Sequence, residues 1–325
     1  MSDNSVIIGL TGDVMIGRTV DTIIGSKGYV YPWGNVLPLF KNTDINIINL
    51  EAALTHSNKK VSKTFNFKAA PDRINTLKEA SITLVNLANN HVLDFSDKGL
   101  RETLQVLDAA GIKYVGAGLN DKHAAHPGIL HSKNTIIGVL GFTDNEPGWK
   151  ATAVSSGINH IDIEKKEDRQ RAVNDIVQLH KLVDIVIVSL HWGPNMKESP
   201  DAYFIDFAHE MIDAGADIIH GHSAHNFQGI ERYHGKLILY DTGDFVDDYV
   251  VDPYLKNDHS FFYRVETAKN RQLKLELYPV LISNYQVNLA VGEDYQWCFH
   301  RVKQLSEKFE TTFTDNGKMI VLDNP

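Results

Sequence analysis

The chain has 325 residues, of which 43% are hydrophobic and 22% are charged, a composition typical of globular proteins. Its formal net charge of −9 disfavours a nucleic-acid partner, because phosphate backbones attract basic surfaces, and its single cysteine, Cys298, excludes a disulfide framework within the chain. No run of apolar residues reaches the roughly 18 that a membrane helix needs, and the N-terminal segment lacks the basic region of a signal peptide. We therefore expect a cytoplasmic protein with no membrane segment in this chain.

Short apolar runs alternate with amphipathic stretches up to about residue 250. The runs predicted as strands are residues 6–10, 45–50, 82–88, 135–142, 184–190, 216–221 and 236–243. The amphipathic stretches predict helices over 97–111, 164–181 and 202–215, and Gly111 suits the C-terminal cap of the first helix. This alternation predicts an α/β fold with parallel or mixed sheets that are buried on both faces.

The pattern changes after about residue 260. Two alternating stretches, 261–267 and 273–282, predict a β-hairpin, and a helix is predicted around 294–310. We predict one domain over residues 1–283 and a C-terminal helical extension over 284–325 that packs on the same domain.

Polar side chains follow five of the predicted strands. In chain order they are Asp13, Asn49, Glu51, Asn90, His91, His191, His222 and His225. Open α/β sheets place their ligand sites at the carboxyl ends of strands. We therefore expect these side chains to converge on one rim, although they lie far apart in the sequence.

The residue types in this set are those of a metal site. Imidazole and carboxylate groups together suit Zn, Mn or Fe, and two bound ions form the usual clamp for hydrolysis of a phosphate ester. Each residue alone has a structural alternative: Asp13 also suits a turn or a helix cap, and Glu51 also suits an ion pair with a lysine. His222 and His225, however, lie in one glycine-flanked turn and are costly to bury without a partner. The combined pattern favours metal binding.

Six segments together resemble the poly-γ-glutamate capsule biosynthesis family, CapA, which is similar to the calcineurin-like metallophosphoesterases. They are TGDVMIGR (11–18), NLEAALT (49–55), NLANNHVLDFSDKGLRETLQVLDAAGIKYVGAG (86–118), SLHWG (189–193), GADIIHGHSAHNFQGIE (215–231) and YDTGDFV (240–246). The resemblance covers about residues 6–250. It implies a bacterial protein with a four-layer α/β/β/α sandwich of mixed sheets and flanking helices, which is α+β in the wider sense.

The resemblance also implies a metal-ligand set for one or two divalent ions: Mn, Zn or Fe, with Mg as a further candidate. The implied ligands are Asp13 and His225 for the first ion, Glu51 for the bridge, and Asn90, His191 and His222 for the second ion. Two positions depart from the pattern. Met15 stands where the wider superfamily has a histidine, which leaves the first ion with fewer protein ligands. Asp244 stands where the family commonly has asparagine, and this added carboxylate is expected to affect metal preference or substrate charge.

Three further residues are candidates for catalysis. The resemblance implies that His91 acts on the substrate, by protonating a leaving alkoxide. Asp94 is expected to accept the other N–H of His91; the alternative is that Asp94 and Ser96 cap the helix that begins near Asp97. Arg18 suits the binding of a phosphate or a carboxylate, with a surface salt bridge as the alternative.

Three functions follow from these expectations. The first is a metal-dependent hydrolase that cleaves a phosphate ester of a small anionic or phosphorylated substrate. The second is hydrolysis or transfer of a γ-glutamyl amide, with polyglutamate as the substrate, because of the family's name. The third is a non-catalytic assembly component in capsule biosynthesis, which the loss of a histidine ligand at Met15 favours. The sequence specifies neither the substrate nor the oligomeric state.

Overall fold

Two mixed β-sheets pack face to face in the computed structural model, which describes residues 5–323. The strands are β1 (Val6–Val14), β2 (Ile45–Leu50), β3 (Ala53–Leu54), β4 (Lys68–Ala69), β5 (Leu84–Asn86), β6 (Lys113–Val115), β7 (Ala117–Gly118), β8 (Gly128–Ser132), β9 (Thr135–Thr143), β10 (Gly157–Ile158), β11 (Ile185–His191), β12 (Ile218–His222), β13 (Ile230–Tyr233), β14 (Lys236–Leu239), β15 (Asp244–Val246), β16 (His259–Thr267), β17 (Leu273–Ser283), β18 (Gln286–Leu289), β19 (Phe313–Asp315) and β20 (Ile320–Leu322). The α-helices are α1 (Arg18–Lys27), α2 (Leu37–Lys41), α3 (Ile74–Glu79), α4 (Ser96–Ala110), α5 (Asp121–Ala124), α6 (Lys166–His180), α7 (Ala202–Asp213) and α8 (Gly292–Ser306).

Each sheet combines parallel and antiparallel strands. The larger sheet has the order β19-β20-β17-β16-β1-β2-β5-β6, with β15 paired to β1 and β18 paired to β17. Its neighbours β1, β2, β5 and β6 are parallel, as is the β1–β15 pair. The smaller sheet has the order β13-β14-β12-β11-β9-β8, of which β14, β12, β11 and β9 are parallel. The parallel strands of both sheets carry the residues of the candidate site.

The apolar residues form three layers. Along β11, Ile185 and Ile187 lie in the layer between the two sheets, whereas Val186 and Val188 lie in the layer that α6 and α7 cover. The third layer lies between the larger sheet and helices α1 to α4. Both faces of each sheet are therefore buried, which explains why the strands read as continuous apolar runs. The predicted four-layer α/β/β/α sandwich of mixed sheets is confirmed.

The C-terminal segment 284–325 contributes more than a helix. It holds α8, whose Tyr295, Cys298 and Val302 pack into the layer between the sheets. It also holds β18, β19 and β20, which join the larger sheet, so the segment predicted as a helical extension contains strands as well as a helix. The division into domains at residue 283 stays a prediction. Short strands of three or four residues have too few positions to show a period in the sequence. The ends of the two predicted ranges, 1–4 and 324–325, lie outside the described residues.

Within residues 5–323, no helix has both the length and the apolar character needed to cross a membrane.

Candidate metal centre

The candidate site lies where the carboxyl ends of strands from both sheets meet. Asp13 lies near the end of β1, and His191 and His222 are the last residues of β11 and β12. His191 and His222 are register partners in the smaller sheet, so their side chains lie next to each other. The larger sheet presents Asp13 to this pair across the contact between the sheets. The convergence of strand ends that the sequence predicts is therefore present for these three residues.

Asp13, His191 and His222 form the first candidate ion site. His191 Nδ1 lies 3.0 Å from His222 Nδ1, and Asp13 Oδ1 lies 3.8 and 3.7 Å from these two nitrogens. All three side chains are buried. Burial lowers the pKa of both histidines well below its usual value. Both imidazoles are therefore neutral, the form in which histidine binds metal ions.

Asn49 holds this first group in place. It is the register partner of Asp13 on β2, and its Nδ2 donates to Asp13 Oδ1 at 2.7 Å and lies 3.3 Å from His191 Nδ1. Its Oδ1 accepts hydrogen bonds from the amides of Asn86 and Asn89 at 3.1 and 3.0 Å. Because both ends of the Asn49 amide are engaged, its orientation is set, and it directs Asp13 towards the two histidines.

Asp13, His225 and Asp244 form the second candidate ion site. His225 Nδ1 lies 2.8 Å from Asp244 Oδ1 and 3.8 Å from Asp13 Oδ2. Burial by itself lowers the pKa of His225, but the surrounding carboxylates, Asp244 first, raise that pKa well above its usual value. Burial raises the pKa of Asp244 to about 6, and burial followed by the charge of Glu51 raises the pKa of Asp13 well above its usual range. The site thus gathers buried carboxylates with too little positive charge to balance them.

Several buried polar atoms around these groups have no hydrogen-bond partner among residues 5–323. They are Asp13 Oδ2, Glu51 Oε1, Asn90 Oδ1, His191 Nε2 and Asp244 Oδ2. Leaving a buried polar atom unpaired is costly, so most such atoms in proteins have a partner. Carboxylate, amide and imidazole atoms are also the ligands that divalent ions use. The residues present therefore fit one or two divalent ions.

Glu51 and Asn90 lie beside the two groups. Glu51 is fully buried; its Oε2 accepts a hydrogen bond from Tyr249 OH at 2.9 Å, and its Oε1 lies 3.9 Å from His91 Nε2. The side-chain Oδ1 of Asn89 accepts a hydrogen bond from the backbone N–H of His91. Asn90, in contrast, lines a cavity. The sequence-based roles of Glu51 as a bridge and Asn90 as a ligand stay predictions.

A cavity of about 740 Å³ opens beside the ion sites. Its lining includes four predicted site residues: Arg18, Asn90, His91 and His225. Arg18 Nη2 lies 3.2 Å from Asp248 Oδ1, and its guanidinium lies over the rings of Phe65 and Phe67. The salt bridge considered as the alternative role of Arg18 is thus present, but the side chain also lines the cavity. The cavity is large enough for a small organic ligand.

His91 is held between a carboxylate and an aromatic ring. Its Nδ1 lies 2.6 Å from Asp94 Oδ2, and its ring stacks on Phe67 with a centroid distance of 3.8 Å. The expected contact between His91 and Asp94 is therefore present. Helix α4 begins at Ser96, and within the described residues no side chain caps its N-terminus, so Asp94 is not a helix cap. The catalytic roles of His91, Asp94 and Arg18 stay predictions.

The structure adds three residues to the predicted set. Asp244 enters the second ion site, Tyr249 donates to Glu51, and Lys63 Nζ lies 3.3 Å from Asp94 Oδ1. Lys63 and Tyr249 lie in loops and carry no strand-end signal. Asp244 was visible in the sequence as an acidic residue within YDTGDFV (240–246), but the sequence did not indicate which side chains would lie beside it.

Comparison with known proteins identifies relatives across most of the chain. Residues 7–249 match the family described as "Bacterial capsule synthesis protein PGA_cap". A probable polyglutamine synthesis accessory protein of Mycobacterium tuberculosis is 32% identical over 94% of this chain and 92% of that protein. The PGA biosynthesis protein CapA of Bacillus subtilis is 30% identical over 86% of this chain and 72% of that protein. The capsule biosynthesis protein CapA of Bacillus anthracis is 32% identical over 74% of this chain and 59% of that protein.

Two solved structures resemble the chain at low sequence identity. A hypothetical protein from Thermus thermophilus is 15% identical with a TM-score of 0.47, over 87% of this chain and 96% of that chain. The calcineurin-like phosphoesterase YfkN from Bacillus subtilis is 12% identical with a TM-score of 0.46, over 88% of each chain.

Proposed function

The chain belongs to the PGA_cap family of bacterial capsule synthesis proteins, and from the geometry of its site we propose that it is a metal-dependent hydrolase that cleaves a phosphate ester. The observation that carries the proposal is the meeting of Asp13 from one sheet with His191 and His222 from the other. These ligand atoms lie beside a cavity that also exposes an oriented histidine and an arginine. Ion ligands, a proton donor and an anion-binding group are the parts that phosphate-ester hydrolysis needs.

The proposed ligands follow from the two groups and the unpartnered atoms beside them. Asp13, His191 and His222 would hold one ion, with the unpartnered Asn90 Oδ1 as a further ligand, and the unpartnered Glu51 Oε1 would bind a neighbouring ion. Divalent ions, when bound there, neutralise charge on the phosphate and favour ionisation of water.

The charge of the cavity explains why ions are needed. Its lining includes Glu146, and the carboxylates of Glu51 and Asp248 lie beside the lining residues His91 and Arg18. The cations Arg18 and Lys63 are already paired with acidic groups. An anionic substrate would be repelled by this arrangement. Bound divalent cations invert the local charge and make the site suitable for a phosphate.

His91 supplies the proton in the proposed reaction. A bond forms between a water oxygen and phosphorus while that water loses a proton to solvent; the bond from phosphorus to the leaving oxygen breaks, and the leaving oxygen takes a proton from His91. Because Asp94 engages Nδ1 of His91, Nε2 is the nitrogen left for this transfer. Arg18 lies on the cavity wall, where its planar guanidinium matches the oxygens of a phosphate.

The test begins with elemental analysis of the purified protein. Turnover of bis-p-nitrophenyl phosphate and p-nitrophenyl phosphate is then measured with Mn, Zn, Fe and Mg in turn. His191→Ala and Asp13→Ala are expected to lose bound metal and at least about 100-fold in activity. His234→Ala is the matched control, since that histidine is exposed, and it should keep both. Unchanged metal content and turnover in both site variants would contradict the proposal.

A second candidate function is a role in polyglutamate synthesis, and the names of the relatives from Mycobacterium and Bacillus favour it. In this proposal the same site acts on a γ-glutamyl amide, or the chain serves as a non-catalytic component of a capsule-assembly machine. Incubation of polyglutamate with the protein and chromatography of the products test the amide reaction. A polymer of unchanged length excludes hydrolysis. Co-purification with membrane-bound partners, together with no turnover on any phosphate ester, supports the assembly role.

A further inference from the structure

Two buried carboxylates lie side by side on neighbouring parallel strands. Asp13 of β1 and Asp244 of β15 are register partners, and both are fully buried. The pairing is secured by the N–H of Asp13, which donates to the Gly243 carbonyl at 2.9 Å. Like charges directly opposite each other on adjacent strands are destabilising, and burial increases the cost. Such a pair needs a compensating positive charge.

Among the groups that act most strongly on this pair, carboxylates outnumber imidazoles. Glu51 adds a third buried carboxylate whose charge acts on both Asp13 and Asp244. His225, whose Nδ1 lies 2.8 Å from Asp244 Oδ1, contributes at most one positive charge. These carboxylates outnumber the single imidazole, and a bound divalent cation would offset the excess of negative charge.

The two carboxylates also have oxygens available to a cation. Asp13 Oδ2 and Asp244 Oδ2 have no hydrogen-bond partner among the described residues. Asp13 Oδ2 lies 3.8 Å from His225 Nδ1, and the three residues offer ligand atoms that all lie within 4.8 Å of one another. Two carboxylates and one imidazole are thus arranged around one point.

Met15 offers no oxygen or nitrogen ligand beside Asp13. It lies two residues after Asp13, is fully buried in the layer beneath the outer helices, and its Sδ accepts the Gly17 N–H at 3.2 Å. A thioether is also a poor ligand for hard cations. The strand that carries Asp13 therefore offers no second ligand at that position, whereas the neighbouring strand offers Asp244.

We propose that Asp244 is a metal ligand, and that with Asp13 and His225 it forms a divalent-cation site separate from that of His191 and His222. This inference rests on the ion site of the proposed function, because Asp13 is shared. The two sites differ in chemistry: the Asp244 site has two carboxylates and one imidazole, and the other has one carboxylate and two imidazoles. Oxygen ligands favour Mn²⁺ over softer ions, so the Asp244 site should be the more selective for Mn²⁺.

Counting bound ions tests the inference independently of turnover. The full-length protein is stripped with a chelator and titrated with Mn²⁺, and bound Mn²⁺ is measured by electron paramagnetic resonance and elemental analysis. The wild type is expected to bind two ions and Asp244→Asn one, with the ion held by His191 and His222 retained. Asp247→Asn, which changes a neighbouring buried carboxylate, is the matched control and should still bind two. One ion in the wild type, or two in Asp244→Asn, would overturn the inference.

A second variant tests the same ion site in case Asp244→Asn does not fold. His225→Gln removes the imidazole of the same group and should also bind one ion, while two ions in this variant would refute the site. The alternative, in which Asp244 only orients His225 by accepting its N–H, predicts two ions in Asp244→Asn. Turnover on phosphate esters is scored separately. Two ions in the wild type without any turnover would refute the hydrolase proposal and leave the Asp244 site standing.

Discussion

His91 Nδ1 and Asp94 Oδ2 lie 2.6 Å apart, three residues from each other in the turn that follows β5. The other carboxylate oxygen, Asp94 Oδ1, lies 3.3 Å from Lys63 Nζ, and Asp94 Oδ2 also accepts the N–H of Phe67 at 2.7 Å. The ring of Phe67 in turn stacks on His91. His91 is therefore held by a carboxylate that is itself fixed by two partners, which orients its Nε2.

This arrangement predicts different effects for the two members of the pair. His91→Ala should lower kcat on a phosphodiester by about 10²- to 10⁴-fold, because the proton donor is lost. Asp94→Asn should lower it by about 10- to 100-fold, because the imidazole remains but is less well oriented. Steady-state kinetics with saturating Mn²⁺ measure both effects, and metal content should not change in either variant. If His91→Ala kept the kcat of the wild type, the histidine would have no part in proton transfer.

Removal of metal should destabilise the folded chain. Without ions, Asp13, Glu51 and Asp244 remain buried, with the imidazole of His225 beside them as partial compensation. An ion that binds only the folded state stabilises it by about 2.7 kcal/mol at 100 times its Kd, which for a chain of this length raises the melting temperature by about 4 °C. Thermal unfolding with a chelator, and then with increasing Mn²⁺, measures the shift.

The control for this prediction is a variant with fewer ligands. His191→Ala should show a smaller Mn²⁺-dependent shift in melting temperature than the wild type, whereas the exposed-site variant His234→Ala should show the same shift. Identical melting temperatures of the wild type with chelator and with Mn²⁺ would mean that no ion stabilises the fold.

Much of the fold was predictable because its signals are local. The helix predicted over 97–111 is α4, Ser96–Ala110, and Gly111 follows it with a φ of 71°, as a C-terminal glycine cap does. The buried strands were visible as apolar runs. By contrast, β15 has three residues and pairs with β1 about 230 residues away. A strand so short, paired at such a distance, leaves no periodic signal in the sequence.

The site was predictable to the same extent and for the same reason. Asp13, His191 and His222 follow long apolar strands, so the strand-end rule identified them. Asp244 was visible only as an additional carboxylate, because its meaning depends on the register that places it beside Asp13. Lys63 reaches Asp94 from a loop, and contacts made by loops depend on the packed structure alone.

Asp144 should make stability depend on pH. Burial raises its pKa to about 6, and its carboxylate accepts the N–H of Gly193, two residues after His191. Because the folded state binds this proton more tightly than the unfolded state, stability contributed by Asp144 falls as pH rises from about 4 to about 6. Asp144→Asn removes that dependence. The unfolding free energy of the variant minus that of the wild type should therefore increase by up to about 3 kcal/mol as the pH rises from about 4 to about 6.

Urea unfolding of both proteins between pH 4 and 7 measures this difference. The comparison isolates Asp144, since every other titrating group is common to the two chains. A difference in unfolding free energy that stays constant with pH would contradict the raised pKa of Asp144.

Gly12 should be essential to the pairing that creates the second ion site. A Cβ at this position would lie 1.8 Å from the carbonyl oxygen of Gly243, and that oxygen already accepts the N–H of Asp13. Gly12→Ala must therefore push β15 away from β1 and separate Asp13 from Asp244. We expect a loss of about 1–3 kcal/mol in unfolding free energy, the usual cost of overpacking, together with the loss of one bound ion. Gly148→Ala is the matched control, because its added Cβ would meet no atom of the described residues within 4 Å apart from its own chain neighbours. Wild-type stability and two bound ions in Gly12→Ala would show that the close approach of these strands does not hold the carboxylates together.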